Sequence, residues 1–122
     1  MESWRPTAPR GRDEDGDGRD DREDVFRISG GVGLPTVTFK ERMAIGRGAD
    51  QVDLYYFGRG HTGGDAWVVF PSLRIMHAGD MFPGKQVPLI DTNNGGSGID
   101  YPETLTKAYS TITDIDTIIT GH

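Results

Sequence analysis

Short runs of β-forming residues, most of them separated by glycine, proline or aspartate, do most to limit what this chain can fold into. Between residues 36 and 76 they follow one another as Thr36–Phe39, Arg42–Ile45, Val52–Phe57, Ala66–Phe70 and Leu73–Met76. Runs this short and this close predict consecutive strands joined by tight turns, such as Pro71–Ser72, and therefore an antiparallel sheet.

A long loop and one amphipathic helix follow these strands. Residues 79–99 are rich in proline and glycine, and loops longer than about 12–15 residues are usually functional or disordered. Within this loop, Gly95–Ser97 is interpreted as a flexible turn, although a contact with substrate stays open. Asp100 is predicted to cap a helix, with Pro102 in the first turn and Glu103 three residues after the cap.

The predicted helix has one apolar stripe, and one more strand comes after it. The stripe consists of Leu105, Ala108, Tyr109 and Ile112, and the strand of Asp116–Thr120. One apolar helix face and one apolar sheet face must cover each other. The fold class predicted from the pattern is therefore a layered α/β arrangement with mostly antiparallel strands and one helix.

The first 24 residues differ in composition from the rest. They hold nine acidic residues and five arginines with few apolar residues, which predicts a disordered acidic tail before a domain at 25–122. Asp13, Asp15, Asp17 and Asp24 match the spacing of calcium ligands in a helix–loop–helix site. No helix-forming segment precedes them, so a solvated acidic tail is the favoured interpretation.

Composition excludes several classes of function. The chain has no cysteine, so thiolate metal sites and cysteine nucleophiles are absent. Residues 25–122 contain no cluster of lysine and arginine, so nucleic acid is not an expected partner. The longest apolar run, Ala66–Phe70, is far too short to span a membrane, and no signal peptide is recognisable. A cytoplasmic protein is expected.

Three residues with metal-ligand chemistry stand in the same local context. His61, Asp80 and His122 each directly follow a glycine, at or just beyond the end of a β-type run. A ligand at such a place projects from a rigid strand, and imidazole with carboxylate suits Zn²⁺, iron or Mn²⁺. Taken singly, each histidine is more often structural, so spacing alone leaves ligation and a structural role both open.

Two further patterns have structural interpretations. Gly58–Gly63 matches the glycine spacing of a dinucleotide-binding loop, but a strand is predicted after it where that loop needs a helix, so tight turns are favoured. His77 lies two residues after Ile75 in a predicted strand, on the same side as this apolar neighbour. A packed histidine is the favoured interpretation there.

Four sequence blocks, taken in order, resemble the C-terminal motifs of the metallo-β-lactamase superfamily. They are Tyr56–Asp65 (YFGRGHTGGD), Val68–Pro71 (VVFP), His77–Asp80 (HAGD) and Ile118–His122 (IITGH). The resemblance runs from about Leu34 to His122. It implies the C-terminal half of an αββα sandwich, with an active site at one edge of two packed sheets.

The resemblance also implies roles for individual residues. His61 would complete one metal site, Asp80 would bridge two zinc ions and take part in catalysis, and His122 would complete the second site. Thr62 and Asp65 would fix the His61 loop from behind the ligands. The implied activity is hydrolysis of a small-molecule substrate by metal-activated water, with other divalent metals possible and the loop 81–99 shaping substrate choice.

The sequence departs from this superfamily in one respect. The motif HxHxDH, which supplies most of the family's ligands, is absent, because the chain's histidines are His61, His77 and His122. Each ion would then have fewer than the three protein ligands usual for catalytic zinc, and a weak or inactive hydrolase is expected. The alternative is a non-catalytic remnant or interaction module. In either case, association with a complementary half or self-association is expected.

Overall fold

The computed structural model describes residues 27–32 and 35–122. The predicted acidic tail and its calcium-like spacing lie outside these residues, and the predicted domain start at residue 25 stays a prediction. The chain divides into two units, Met1–Thr38 and Phe39–His122. In the described part of the first unit, the Gly30 and Val32 amides donate to the Arg27 and Ser29 carbonyls, at 3.3 and 3.4 Å, as in successive turns.

The second unit contains one sheet whose strands are ordered as they come in the chain. They are β1 (Arg42–Ile45), β2 (Val52–Tyr55), β3 (Trp67–Phe70), β4 (Ile75–Gly79) and β5 (Thr117–Thr120). The first four strands pair antiparallel, whereas β5 pairs parallel with β4. The predicted mostly antiparallel sheet with one helix is thereby confirmed.

Two predicted strands differ by more than two residues in total from the observed ones, at Thr36–Phe39 and at Leu73–Met76. The run Thr36–Phe39 forms no strand, although it is rich in β-forming residues. β-Propensity reflects how well a side chain packs against neighbouring strands, and residues 36–39 pair with no strand. The strand predicted at Leu73–Met76 begins late, because Pro71–Leu73 forms a 3₁₀ turn and Arg74 takes a left-handed conformation with φ of 55°. β4 therefore starts at Ile75 and extends to Gly79.

The helix α1 (Tyr101–Thr111) follows the long loop, and Asp100 precedes it as predicted. The Asp100 carboxylate does not cap the helix. The Asp100 amide instead donates to Ser97 Oγ at 3.2 Å, and its carboxylate lies 3.6 Å from Arg59 Nη1. In the part of the chain that the structure describes, no helix is long and apolar enough to cross a membrane.

The core lies between α1 and one face of the sheet. Trp67, Val69, Met76 and Ala78 from β3 and β4 are buried with Ala108, while Leu105 and Ile112 pack against them. The predicted stripe was wrong at Tyr109, which is 90% exposed. Thr104 occupies the buried position instead, because its hydroxyl donates to the Arg59 carbonyl at 2.8 Å and so loses no hydrogen bond on burial.

Candidate metal centre

Three sequence-predicted residues meet at one edge of the sheet. Asp80 comes directly after β4, and His122 follows β5, whose parallel pairing places both strand ends at the same edge. The loop after β2 brings His61 to this edge. His61 Nε2 lies 3.8 Å from Asp80 Oδ2, and His122 Nε2 lies 3.1 Å from Asp80 Oδ1. Each carboxylate oxygen of Asp80 therefore faces a different imidazole.

The His61 loop is fixed by the two residues that the resemblance places behind it. Asp65 accepts hydrogen bonds from the Thr62 amide at 2.7 Å and from the Thr62 hydroxyl at 2.8 Å. Its Oδ1 also lies 3.5 Å from His61 Nδ1, on the side of the ring away from Asp80. A carboxylate beside Nδ1 favours the tautomer that carries its proton there, which leaves the Nε2 lone pair free to bind a metal.

A second loop holds the His61 backbone from the other side. The Asp91 amide donates to the His61 carbonyl at 2.8 Å, and the Gly63 amide donates to the Asn94 carbonyl at 2.9 Å. Gly96 is buried in this contact, and a Cβ on it would lie only 2.2 Å from the His61 carbonyl oxygen. Gly95–Ser97, interpreted from sequence as a flexible turn, is therefore closely packed backbone that supports the His61 loop.

Arg59 is a residue of the site that sequence reasoning missed. Its Nε donates to the Gly95 carbonyl at 2.7 Å, and its own carbonyl accepts from Thr104 on α1. Arg59 therefore joins the second loop to the segment that carries His61. Its position between two glycines was the available signal, since a charged residue in a tight turn needs a nearby partner.

Gly121, the residue directly after β5, lies so close to Asp80 that a side chain would not fit there. A Cβ on Gly121 would lie 2.2 Å from Asp80 Oδ1 and 2.8 Å from the Gly79 carbonyl carbon. His122 beyond it has a side chain that is 71% exposed, compared with 37% for Asp80 and 18% for His61.

The third histidine lies outside this group. His77 is on β4, on the same side of the strand as Ile75, and its Nδ1 accepts a hydrogen bond from the Gly79 amide at 3.2 Å. It pairs in register with Val68 on one side and Ile119 on the other, so it lies among apolar residues of the sheet. The hydrogen bond agrees with the packed or hydrogen-bonded histidine favoured from sequence.

Two neighbouring groups have shifted pKa values. Burial raises the pKa of Tyr101, and the charge of Asp65 adds to this, so Tyr101 stays a protonated donor and its hydroxyl bonds to the Met81 carbonyl. The pKa of Asp91 is lowered, first by the hydrogen bond from the Asn94 side chain and least by the charge of His61.

The donors fit a metal in type and spacing but not in number. Two atoms bound to a tetrahedral zinc at about 2.0–2.1 Å lie about 3.3 Å apart, a spacing that the 3.8 and 3.1 Å separations bracket. However, within residues 27–32 and 35–122 no group of three or more histidine, aspartate or glutamate side chains is arranged to hold an ion. The chain presents two pairs that share Asp80.

A cavity of about 370 Å³ opens onto these residues. His61, Asp80 and His122 line it together with residues of the loop after Asp80. A larger cavity of about 740 Å³ lies elsewhere, beside Lys40, Tyr55 and other residues that include none of the three.

Comparisons with known proteins identify the fold. No protein-family model matches the sequence, and no curated protein matches it significantly. Among solved structures, the chain is similar to a metallo-β-lactamase from Pontibacter korlensis, with a TM-score of 0.60 and 19% identity over 79% of this chain and 45% of that one. It is also similar to the metallo-β-lactamase DIM-1, with a TM-score of 0.63 and 15% identity over 81% of this chain and 45% of that one.

A third solved structure agrees with these two. The metallo-β-lactamase IND-7 matches with a TM-score of 0.61 and 20% identity, over 83% of this chain and 46% of that one. The chain thus spans less than half the length of the structures it matches. It has a partial metallo-β-lactamase fold, as the sequence motifs predicted.

Proposed function

We propose that this chain supplies one part of a two-metal hydrolytic centre that binds zinc and acts on a small-molecule substrate. The observation that carries the proposal is the position of Asp80 between His61 and His122, with one carboxylate oxygen toward each imidazole. A carboxylate in that position can bridge two ions. The fold it shares with metallo-β-lactamases supports the same conclusion.

The number of ligands implies a second contributor to the site. Each ion would receive one histidine and a shared aspartate from this chain, whereas catalytic zinc usually has three protein ligands. We propose that a complementary segment, on the same polypeptide or on another, brings the remaining ligands. The solved structures it matches are more than twice as long as the matched part, which leaves room for such a segment.

The sheet offers this segment an apolar surface. On the face away from α1, Leu54, Val68 and Ile75 are only half buried, and Ile119 is 45% exposed. These residues line up across the sheet, because Leu54 pairs with Val68 and both lie on the side opposite the core. A second sheet packed on this face would bury them and bring its own strand ends to the edge that carries Asp80.

Each residue has a definite task in this proposal. Asp65 holds the His61 ring, so that Nε2 faces Asp80, and Asp80 aligns the two imidazoles by lying between them. When bound, zinc would polarise the scissile carbonyl and lower the pKa of water, which provides a nucleophile at neutral pH. The protonated Tyr101 hydroxyl holds the Met81 carbonyl and keeps the residue after Asp80 in place.

Zinc titration of the full chain by calorimetry tests the proposal. Wild-type protein should bind up to two zinc ions, and Asp80→Asn should weaken both, because it removes a charged donor that the pairs share. His77→Gln is the control, since His77 lies on β4, the strand that Asp80 follows, but outside the group. It should leave zinc binding unchanged.

Hydrolysis of a p-nitrophenyl ester, measured with added zinc and with chelator, completes the test. Weak activity that needs zinc and disappears in His61→Ala would support the hydrolase. If Asp80→Asn binds zinc as tightly as wild type and no zinc-dependent activity is found, the proposal is wrong and a non-catalytic module remains.

A further inference from the structure

The loop after Asp80 forms an apolar wall beside the candidate metal centre. Pro83, Val87 and Leu89 line the same cavity of about 370 Å³ as His61, Asp80 and His122. Val87 is 92% exposed and Leu89 is 74% exposed, so both aliphatic side chains face solvent. Apolar surface left in water beside a polar site is the arrangement expected of a ligand-binding wall.

The root of this wall is tied to the strand ends that carry the ligands. The Phe82 amide donates to the Gly79 carbonyl at 3.1 Å, and the Gly121 amide donates to the Phe82 carbonyl at 3.3 Å. Met81 is 1% exposed and therefore packed into the core. The wall thus has a fixed starting point between Asp80 and His122.

The charge of the cavity restricts what it can bind. Among the described residues, no lysine or arginine lines it, and Gln86 is neutral. Phosphate and carboxylate groups are ordinarily held by arginine or lysine in proteins. An anionic group bound against this wall would lose part of its hydration without gaining an ion pair with lysine or arginine.

We propose that this cavity takes an uncharged carboxylic ester whose aliphatic acyl chain lies against Val87 and Leu89. The ester group would then point toward Asp80 and the two histidines. At about 30 Å³ for each water-sized group, the cavity has room for about a dozen non-hydrogen atoms. This inference rests on the proposed function for the fate of the ester, but not for the contact with its acyl chain.

The test uses the metal-free full chain and follows the methyl signals of Val87 and Leu89 by NMR. Methyl hexanoate has a longer acyl chain than methyl acetate by four methylenes, and each methylene that is buried strengthens binding about fourfold. It should therefore shift these signals with an affinity on the order of a hundredfold higher. Monomethyl adipate, which carries a carboxylate at the far end of a similar chain, should bind no better than methyl acetate.

Two substitutions of exposed residues test whether the preference for methyl hexanoate depends on the apolar wall or on any exposed aliphatic side chain. Leu89→Ser should remove most of the preference for methyl hexanoate. Ile99→Ser is the control, because Ile99 is 92% exposed and does not line the cavity, and it should keep the preference.

Equal affinities for the two methyl esters, tighter binding of monomethyl adipate, or a preference unchanged in Leu89→Ser would each overturn the proposal. Since no metal is present in these titrations, their result is independent of zinc binding. The NMR titrations can disprove the contact with the acyl chain while the calorimetric titration supports the zinc site. They can also support that contact while the calorimetric titration disproves the zinc site.

Discussion

The two histidines beside Asp80 stand in similar sequence contexts but are held very differently. The His61 side chain is 18% exposed, has Asp65 behind it, and belongs to a loop whose carbonyl accepts from Asp91. The His122 side chain is 71% exposed, and its imidazole reaches Asp80 with most of its surface in solvent. One side of the site is therefore built from packed loops and the other is open.

This difference shows which part of the proposed zinc site is already ordered. A ligand that is already oriented loses little conformational freedom on binding, whereas an exposed side chain must be ordered first. The His61–Asp80 pair is preorganised by the surrounding backbone. The His122–Asp80 pair would gain order if another part of the protein covered it, as the proposed complementary segment would.

The support of the His61 side depends most strongly on a single glycine. Gly96→Ala would place a Cβ 2.2 Å from the His61 carbonyl oxygen and 2.7 Å from that of Asp91. Both atoms are backbone and neither can rotate away, so we expect the unfolding free energy to fall by about 3 kcal/mol. Urea denaturation followed by tryptophan fluorescence measures this change.

A neighbouring glycine provides the matched control for this experiment. A Cβ on Gly98 would meet nothing within 4 Å, so Gly98→Ala should leave stability within about 0.5 kcal/mol of wild type. If the two variants are equally stable, the second loop does not support His61 in the way that the packing indicates.

The carboxylate behind His61 should have the next largest effect. Asp65→Asn retains the shape but replaces one of the two acceptors that bind the Thr62 amide and hydroxyl, so we expect a loss of about 2 kcal/mol in stability. Zinc affinity should also fall about 10–100-fold, because the imidazole loses its orienting partner. Thermal unfolding and zinc titration measure the two effects.

An exposed carboxylate serves as the control for Asp65. The Asp114 side chain is 85% exposed, lies 3.9 Å from Arg74 Nη1, and precedes β5, whereas His122 follows the other end of this strand. Asp114→Asn should change neither stability nor zinc affinity appreciably. A similar response of both variants would mean that Asp65 acts through net charge alone and does not orient His61.

Local sequence patterns predicted much of the fold. The strand β1 coincides with a predicted run, and β2 and β3 lie within predicted runs, because alternating side chains and glycine punctuation are properties of a few adjacent residues. Thr36–Phe39 has the same local pattern but finds no neighbouring strand, and this is a property of distant residues. Tyr109 was wrongly predicted to be buried, and here too a distant residue decides. The hydroxyl of Thr104 donates to the Arg59 carbonyl, and this hydrogen bond allows Thr104 to take the buried position.

The candidate site was also predicted only in part: its local features could be found from the sequence, and its contacts between distant residues could not. The glycine before each of His61, Asp80 and His122 marked these residues as projecting from strand ends, and the parallel pairing of β4 and β5 places two of them at one edge. Arg59 and Gly96 were missed, because their roles depend on contacts across more than thirty positions of the chain. Sequence spacing does not report such contacts.

The two histidines themselves can be compared by substitution. His61→Ala should lower zinc affinity on the order of tenfold more than His122→Ala. The exposed His122 side chain loses conformational entropy when it binds zinc, and this loss offsets part of the binding free energy that it contributes. Calorimetric titration of both variants with zinc measures the difference. Equal losses would show that the packing around His61 gives it no advantage as a ligand.

The smallest expected effect concerns Asp91, whose amide bonds to the His61 carbonyl. The Asn94 side chain donates to Asp91 Oδ2 at 2.6 Å and is the main cause of its lowered pKa. Asn94→Ala should therefore raise this pKa toward the unfolded value of about 3.9. NMR titration of the Asp91 carboxyl carbon measures the change, and Asn93→Ala, which keeps its backbone hydrogen bond to Asp91, is the control.

The sign of the pH effect follows from the direction of this shift. Because the folded-state pKa of Asp91 is below the unfolded one, its contribution to stability is present above the unfolded pKa and is lost as the pH falls through the folded pKa. Asn94→Ala should remove most of this dependence, so the variant and wild type should converge in stability at low pH and differ near neutral pH. If they differ equally at both, the Asn94 side chain supports the His61 loop through packing and not through the charge of Asp91.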